Sequence, residues 1–66
     1  MKSPAEILLS QVETFLEKTG TKPTVFGWEA VRDPSFVRGL RDGREPRFST
    51  FKRVQKFMAS HSETAS

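Results

Sequence analysis

Three of the four prolines sit where a helix can begin, and they divide this chain before any other feature is weighed. Proline lacks a backbone N–H and holds φ near −65°. It therefore breaks a helix that tries to run through it, yet suits the first helical position, where the N–H would have no partner anyway. Ser3-Pro4-Ala5-Glu6 is such a start, with Ser3 and Glu6 spaced as a capping box. Leu8, Val12, Phe15 and Leu16 follow at helical spacing, Ile7 and Leu9 widen the stripe, and Gly20 offers a left-handed stop. The spacing predicts a first helix over about 4–19.

Thr21-Lys22-Pro23 restarts the chain, and Phe26, Ala30 and Val31 form the inward face of a second helix over about 23–31. Gly27 inside so short a helix costs roughly 1 kcal/mol against alanine, so it marks a place where another backbone comes close. The third helix is the expected neighbour. It is predicted over about 34–42, with Asp33 as cap, Pro34 in first position, Val37 and Leu40 facing inward and Gly43 as the stop. Arg44-Glu45-Pro46-Arg47-Phe48 reads as a loop, with Phe48 a staple for the next helix. Ser49 then caps that fourth helix over about 50–59, carrying Phe51, Val54, Phe57 and Met58. Residues 60–66 are small and polar and are expected to be a disordered tail behind a single domain of residues 1–59. No alternating apolar pattern occurs, so the fold class is all-α, a compact four-helix domain.

With 66 residues, 35% of them hydrophobic, the chain can bury one small cluster. It has no Cys, which removes disulfides, and its lone His61 lies in the tail with no thiolate to join it, which removes a zinc site. No cofactor and no metal are expected. Catalysis is not expected either, because Cys and Tyr are absent and no glycine-rich phosphate loop occurs. No apolar run is long enough to span a bilayer, and Met1-Lys2-Ser3-Pro4 does not open a secretory signal. The expected location is the cytoplasm, on the nucleoid when bound.

The net charge of +3 conceals an asymmetry. Residues 1–31 hold Lys2, Lys18 and Lys22 against Glu6, Glu13, Glu17 and Glu29. Residues 32–56 hold Arg32, Arg38, Arg41, Arg44, Arg47, Lys52, Arg53 and Lys56 against Asp33, Asp42 and Glu45, a net +5. A basic half on a small domain points to a polyanionic partner, and a predominance of Arg suits phosphates and base edges. Two short helices joined by a tight turn form a helix-turn-helix. With Val37 and Leu40 inward, Ser35, Phe36, Arg38, Gly39 and Arg41 are left to face out, where a helix can enter a major groove about 12 Å wide. Arg38 is the residue expected to reach a guanine edge. Arg41 is assigned to a phosphate or to a pair with Asp42 or Glu45. Lys22, Arg32 and Lys52 are further backbone candidates, while Arg53 and Lys56 are read as surface.

The order of these pieces resembles the lambda-repressor/Cro-like (XRE-type) helix-turn-helix family. Phe26-Gly27 is similar to that family's Leu-Ala pair, and Val37, Leu40 and Asp42-Gly43 match its two aliphatics and polar-Gly stop. Arg44-Glu45-Pro46-Arg47-Phe48-Ser49-Thr50-Phe51 looks like its basic, proline-containing loop and the helix start after it. The resemblance covers about residues 5–59. It implies base reading by Pro34, Ser35 and Phe36 together with Arg38, Phe36 offering an apolar contact to a thymine methyl or a wedge at a base step. It implies phosphate contacts at Thr24, Arg44, Arg47 and Ser49. The implied partner is double-stranded DNA, bound by a small transcriptional regulator. The family's usual fifth helix has no counterpart here, so a monomer or weak dimer is expected, with two copies able to meet on DNA. Two other readings stay open: a protein-interaction module, adaptor or antitoxin-like, anchored by Trp28 and Phe36, and an RNA binder using the same basic face.

Overall fold

The computed structural model describes residues 3–64, and over these the chain forms four helices and no strand. They are α1 (Pro4–Thr19), α2 (Pro23–Val31), α3 (Phe36–Arg41) and α4 (Phe48–Thr64). Among the described residues no helix is long and apolar enough to cross a membrane.

The first two helices begin and end where local chemistry places them. Ser3 Oγ accepts from the Glu6 amide at 3.2 Å, and Gly20, at φ 71°, donates its amide to the Leu16 carbonyl at 2.8 Å. α2 opens on Pro23 without a side-chain cap and closes on Arg32, which adopts a left-handed φ of 60°. That conformation costs a non-glycine residue about 1 kcal/mol or more. Two contacts offset it: the Arg32 amide donates to the Trp28 carbonyl at 3.0 Å, and the guanidinium lies 5.5 Å from the Trp28 ring centroid.

α3 starts two residues later than Asp33-Pro34 suggested. Asp33 Oδ1 accepts from both the Ser35 amide, at 3.0 Å, and the Ser35 hydroxyl, at 2.7 Å. The Asp33 carbonyl accepts from the Phe36 amide at 3.1 Å. These bonds close a turn around Pro34, so the aspartate serves the turn and the helix opens at Phe36. α4 starts two residues early instead. The Phe51 amide donates to the Arg47 carbonyl at 2.9 Å, which places Ser49 inside the helix rather than at its cap.

α4 also runs on to Thr64, so the expected tail is helical over residues 60–64; residues 65 and 66 lie outside the described residues. An aromatic cluster lies against the extra turn. Phe26 and Phe57 meet edge to face at 5.4 Å, as do Phe15 and Phe26. The His61 ring, one turn beyond Phe57, lies tilted 4.2 Å from that ring and edge-on 5.8 Å from that of Phe15. Its Nδ1 lies 3.1 Å from the Phe57 carbonyl. A residue read as tail thus lies against the aromatic cluster from its exposed side.

The buried core takes Leu8, Val12 and Leu16 from α1, Phe26 and Ala30 from α2, Phe36, Val37 and Leu40 from α3, and Val54 from α4. Gly27 sits where the chain passes closest, as its position in a short helix predicted. A Cβ added there would collide with the Asp33 carbonyl oxygen and lie 3.3 Å from the Phe36 Cβ. The missing side chain is the space that the turn and Phe36 occupy.

α1 and α3 are further tied by Arg41, whose Nε and Nη2 donate to the two carboxylate oxygens of Glu13 at 2.8 and 2.7 Å. These bonds hold the Glu13 carboxyl below the usual carboxylate range, and the Ser35 hydroxyl and amide do the same for Asp33. A carboxylate whose folded-state pKa is lowered stabilises the fold above its unfolded pKa and loses that contribution as pH falls through the folded value. Urea midpoints are therefore expected to fall as pH drops below about 4, and Glu13→Gln should remove part of that decline. Both carboxylates are exposed, so the contribution is small and screened by salt. An acid limb unchanged by Glu13→Gln would exclude Glu13 from it.

Candidate nucleic-acid interface

In a six-residue helix the inward face is settled by few positions. Phe36, Val37 and Leu40 are buried, which leaves Ser35, Arg38 and Arg41 exposed and Gly39 half-covered. Phe36 was expected to face out and read bases, but only 8% of its surface is exposed. It packs into the space left by Gly27 and belongs to the core. The same burial removes it as an anchor for a protein partner. Trp28 keeps 52% of its surface exposed.

Ser35 is exposed, with its hydroxyl hydrogen directed at Asp33; what it offers outward is an acceptor. Arg38 projects from the exposed face one turn into α3, three residues beyond Ser35. Arg41 was assigned to a phosphate or to Asp42 or Glu45, and neither of those pairings forms. Its partner is Glu13, 28 residues away, and both of its bonding nitrogens are occupied.

The segment between α3 and α4 folds back onto α3. The Arg44 amide donates to the Gly39 carbonyl at 2.9 Å, and the Arg44 side chain lies along Gly39, where an added Cβ would stand 3.5 Å from Cδ. The positive charge of Arg44 adds to the lowering of the Asp33 carboxyl. An open groove of about 400 Å³ results, walled by Ser35, Phe36 and Gly39 on one side and by Arg44, Pro46, Arg47 and Thr50 on the other, with Asp33 and Glu45 at its edges. Ser35, Arg44 and Arg47 are therefore brought together, with Arg38 on the adjoining exposed face.

Other expected contacts lie elsewhere. Lys22 and Thr24 are exposed at the start of α2, and Arg32 is stacked on Trp28 at its end. Ser49 and Lys52 occupy the first turns of α4, Lys52 Nζ lying 5.4 Å from the Phe48 ring. Phe48 does not act as a staple, since 76% of its surface is exposed. The sequence gives no place at the groove to Asp33, which it offers as a helix cap, nor to Thr50 as a wall or Gly39 as the seat of Arg44. Only Gly39 left a signal, because a glycine within a helix implies close approach. Comparison of the chain with protein-family models, with curated proteins and with solved structures finds no match.

Proposed function

We propose that the chain binds double-stranded DNA with sequence preference, as a small transcriptional regulator of the cytoplasm. The observation that carries this reading is the concentration of exposed arginine in and beside one groove, where three arginines outnumber the two carboxylates of Asp33 and Glu45. Arg41 is engaged by Glu13, whereas Arg44 and Arg47 are exposed along the groove and Arg38 is exposed on the adjoining face of α3. Like charges held together at a surface repel, so their accumulation is explained by a polyanion that neutralises them. Arg44 and Arg47, on the loop, hold phosphates. Arg38, on the helix, donates to a guanine edge, and Ser35 accepts beside it. The resemblance to the lambda-repressor/Cro-like family supports the same assignment. Phe36 has no part in it.

Neutralising about four to five phosphates should make log affinity fall with log salt at a slope of roughly −4. Titrating a labelled random duplex between low and moderate salt measures that slope, and sequencing the selected fraction of a random pool tests for preference. Binding that is absent at low salt, or indifferent to salt, would overturn the reading. Trp28, exposed on α2, would then become the starting point for a protein partner.

A further inference from the structure

Asp33 stands exposed at the edge of the basic groove. Its carboxyl is held below the usual carboxylate range by the Ser35 hydroxyl and amide, and then by the charge of Arg44, so it is ionised at neutral pH. The turn around Pro34 does not require that charge, because asparagine closes the same turn with its amide oxygen. Toward a phosphate backbone the carboxylate is only a repulsion. What it supplies is acceptors. Both bonds from Ser35 fall on Oδ1, which leaves Oδ2 to accept from outside. The Ser35 hydroxyl directs its one hydrogen at Asp33 and so turns only lone pairs outward. The start of α3 is thus a corner that only accepts, and Arg38, three residues beyond Ser35, only donates.

We infer that Asp33, with the Ser35 hydroxyl it orients, selects a cytosine in the base pair next to the guanine taken by Arg38. This rests on the reading of the chain as a duplex-DNA binder and names what that site recognises. In the major groove cytosine offers its N4 amine alone, guanine and thymine offer acceptors, and adenine sets an acceptor beside its amine. The corner therefore bonds to cytosine and sets lone pair against lone pair at guanine and thymine. That repulsion discriminates as much as the bond does. The spacing agrees. Three residues of helix rise about 4.5 Å, close to the roughly 3.4 Å between successive base pairs, so the corner and Arg38 address neighbouring pairs.

Selection of bound duplexes from a random pool, followed by sequencing, tests this on the parent chain and its variants. The parent is expected to enrich a guanine with a cytosine at a fixed place in an adjoining pair. Asp33→Asn keeps an oxygen for Ser35 and presents a donor where Oδ2 stood. The preference for cytosine should fall at least about tenfold and pass to guanine or thymine. Glu45, the other carboxylate at the groove's edge, is the control for charge alone. Glu45→Gln should tighten binding to every duplex and leave the selected motif unchanged. Ser35→Ala should reduce the preference for cytosine without reversing it, and it decides the matter if Asp33→Asn melts far below the parent. A parent motif with no cytosine in a pair adjoining the guanine overturns the inference. So does a preference that survives Asp33→Asn or Ser35→Ala, or that is lost equally with Glu45→Gln. A parent that binds no duplex, or enriches no motif, overturns the regulator reading along with it. A clear motif untouched by Asp33→Asn overturns this inference alone.

Discussion

Gly27→Ala is expected to lower stability by about 3 kcal/mol or more, a large share of what a domain of this length possesses. The added methyl group meets the carbonyl oxygen of Asp33, a backbone atom held in a turn by its own hydrogen bonds. A flexible side chain could swing aside, whereas this carbonyl can move only if the turn and Phe36 move with it. The melting temperature should fall by about 15 °C. Gly39→Ala is the control. There a Cβ stands 3.5 Å from the Arg44 side chain, an ordinary contact, so replacing a helical glycine should raise stability by roughly 0.5–1 kcal/mol. Thermal melts of the two variants by circular dichroism make the comparison. A Gly27→Ala protein melting within a few degrees of the parent would mean that α2 and the Asp33 turn do not press together as described.

The second large effect concerns DNA. Arg38→Ala should weaken binding at the preferred sequence by about 1–3 kcal/mol, roughly 5- to 150-fold, and weaken random duplex far less. Arg47→Ala should weaken every duplex by a similar factor and reduce the salt slope by about one unit. The contrast follows from position. Arg38 stands on the exposed face of α3, while Arg47 sits on the loop that walls the groove. Ser35→Ala should act like Arg38→Ala, with a smaller effect. Arg41→Ala should cost stability before it costs affinity, since Arg41 is held by Glu13. Competition titrations with selected and random duplexes separate these cases. Equal losses on both duplexes for Arg38→Ala would make the protein a backbone binder with little sequence choice.

Much of this architecture is legible in punctuation. Ser3-Pro4 and Gly20 bound α1, and Pro23 opens α2, because a missing N–H and a left-handed φ act on their own turn whatever packs nearby. The same logic faltered at Asp33-Pro34. An aspartate can cap a helix or close a turn with nearly the same bonds, and here Ser35 took the carboxylate. It faltered again beyond residue 59. The sequence Ser60-His61-Ser62 reads as tail, yet α4 runs through it, with His61 set against the rings of Phe57 and Phe15.

Residue type and spacing alone thus carried the all-α class, the ends of α1 and α2, the basic half and the glycine that admits a neighbour. Which way Phe36 faces, which arginine is neutralised and which glycine tolerates a methyl group were decided by the packed chain. Each of those depends on an atom distant in sequence or across a turn: the space above Gly27, the carboxylate of Glu13, the carbonyl of Asp33. Local conformational preferences act within a turn of backbone and survive in a linear reading. Burial and charge pairing are properties of the surroundings, and those exist only once the helices have met.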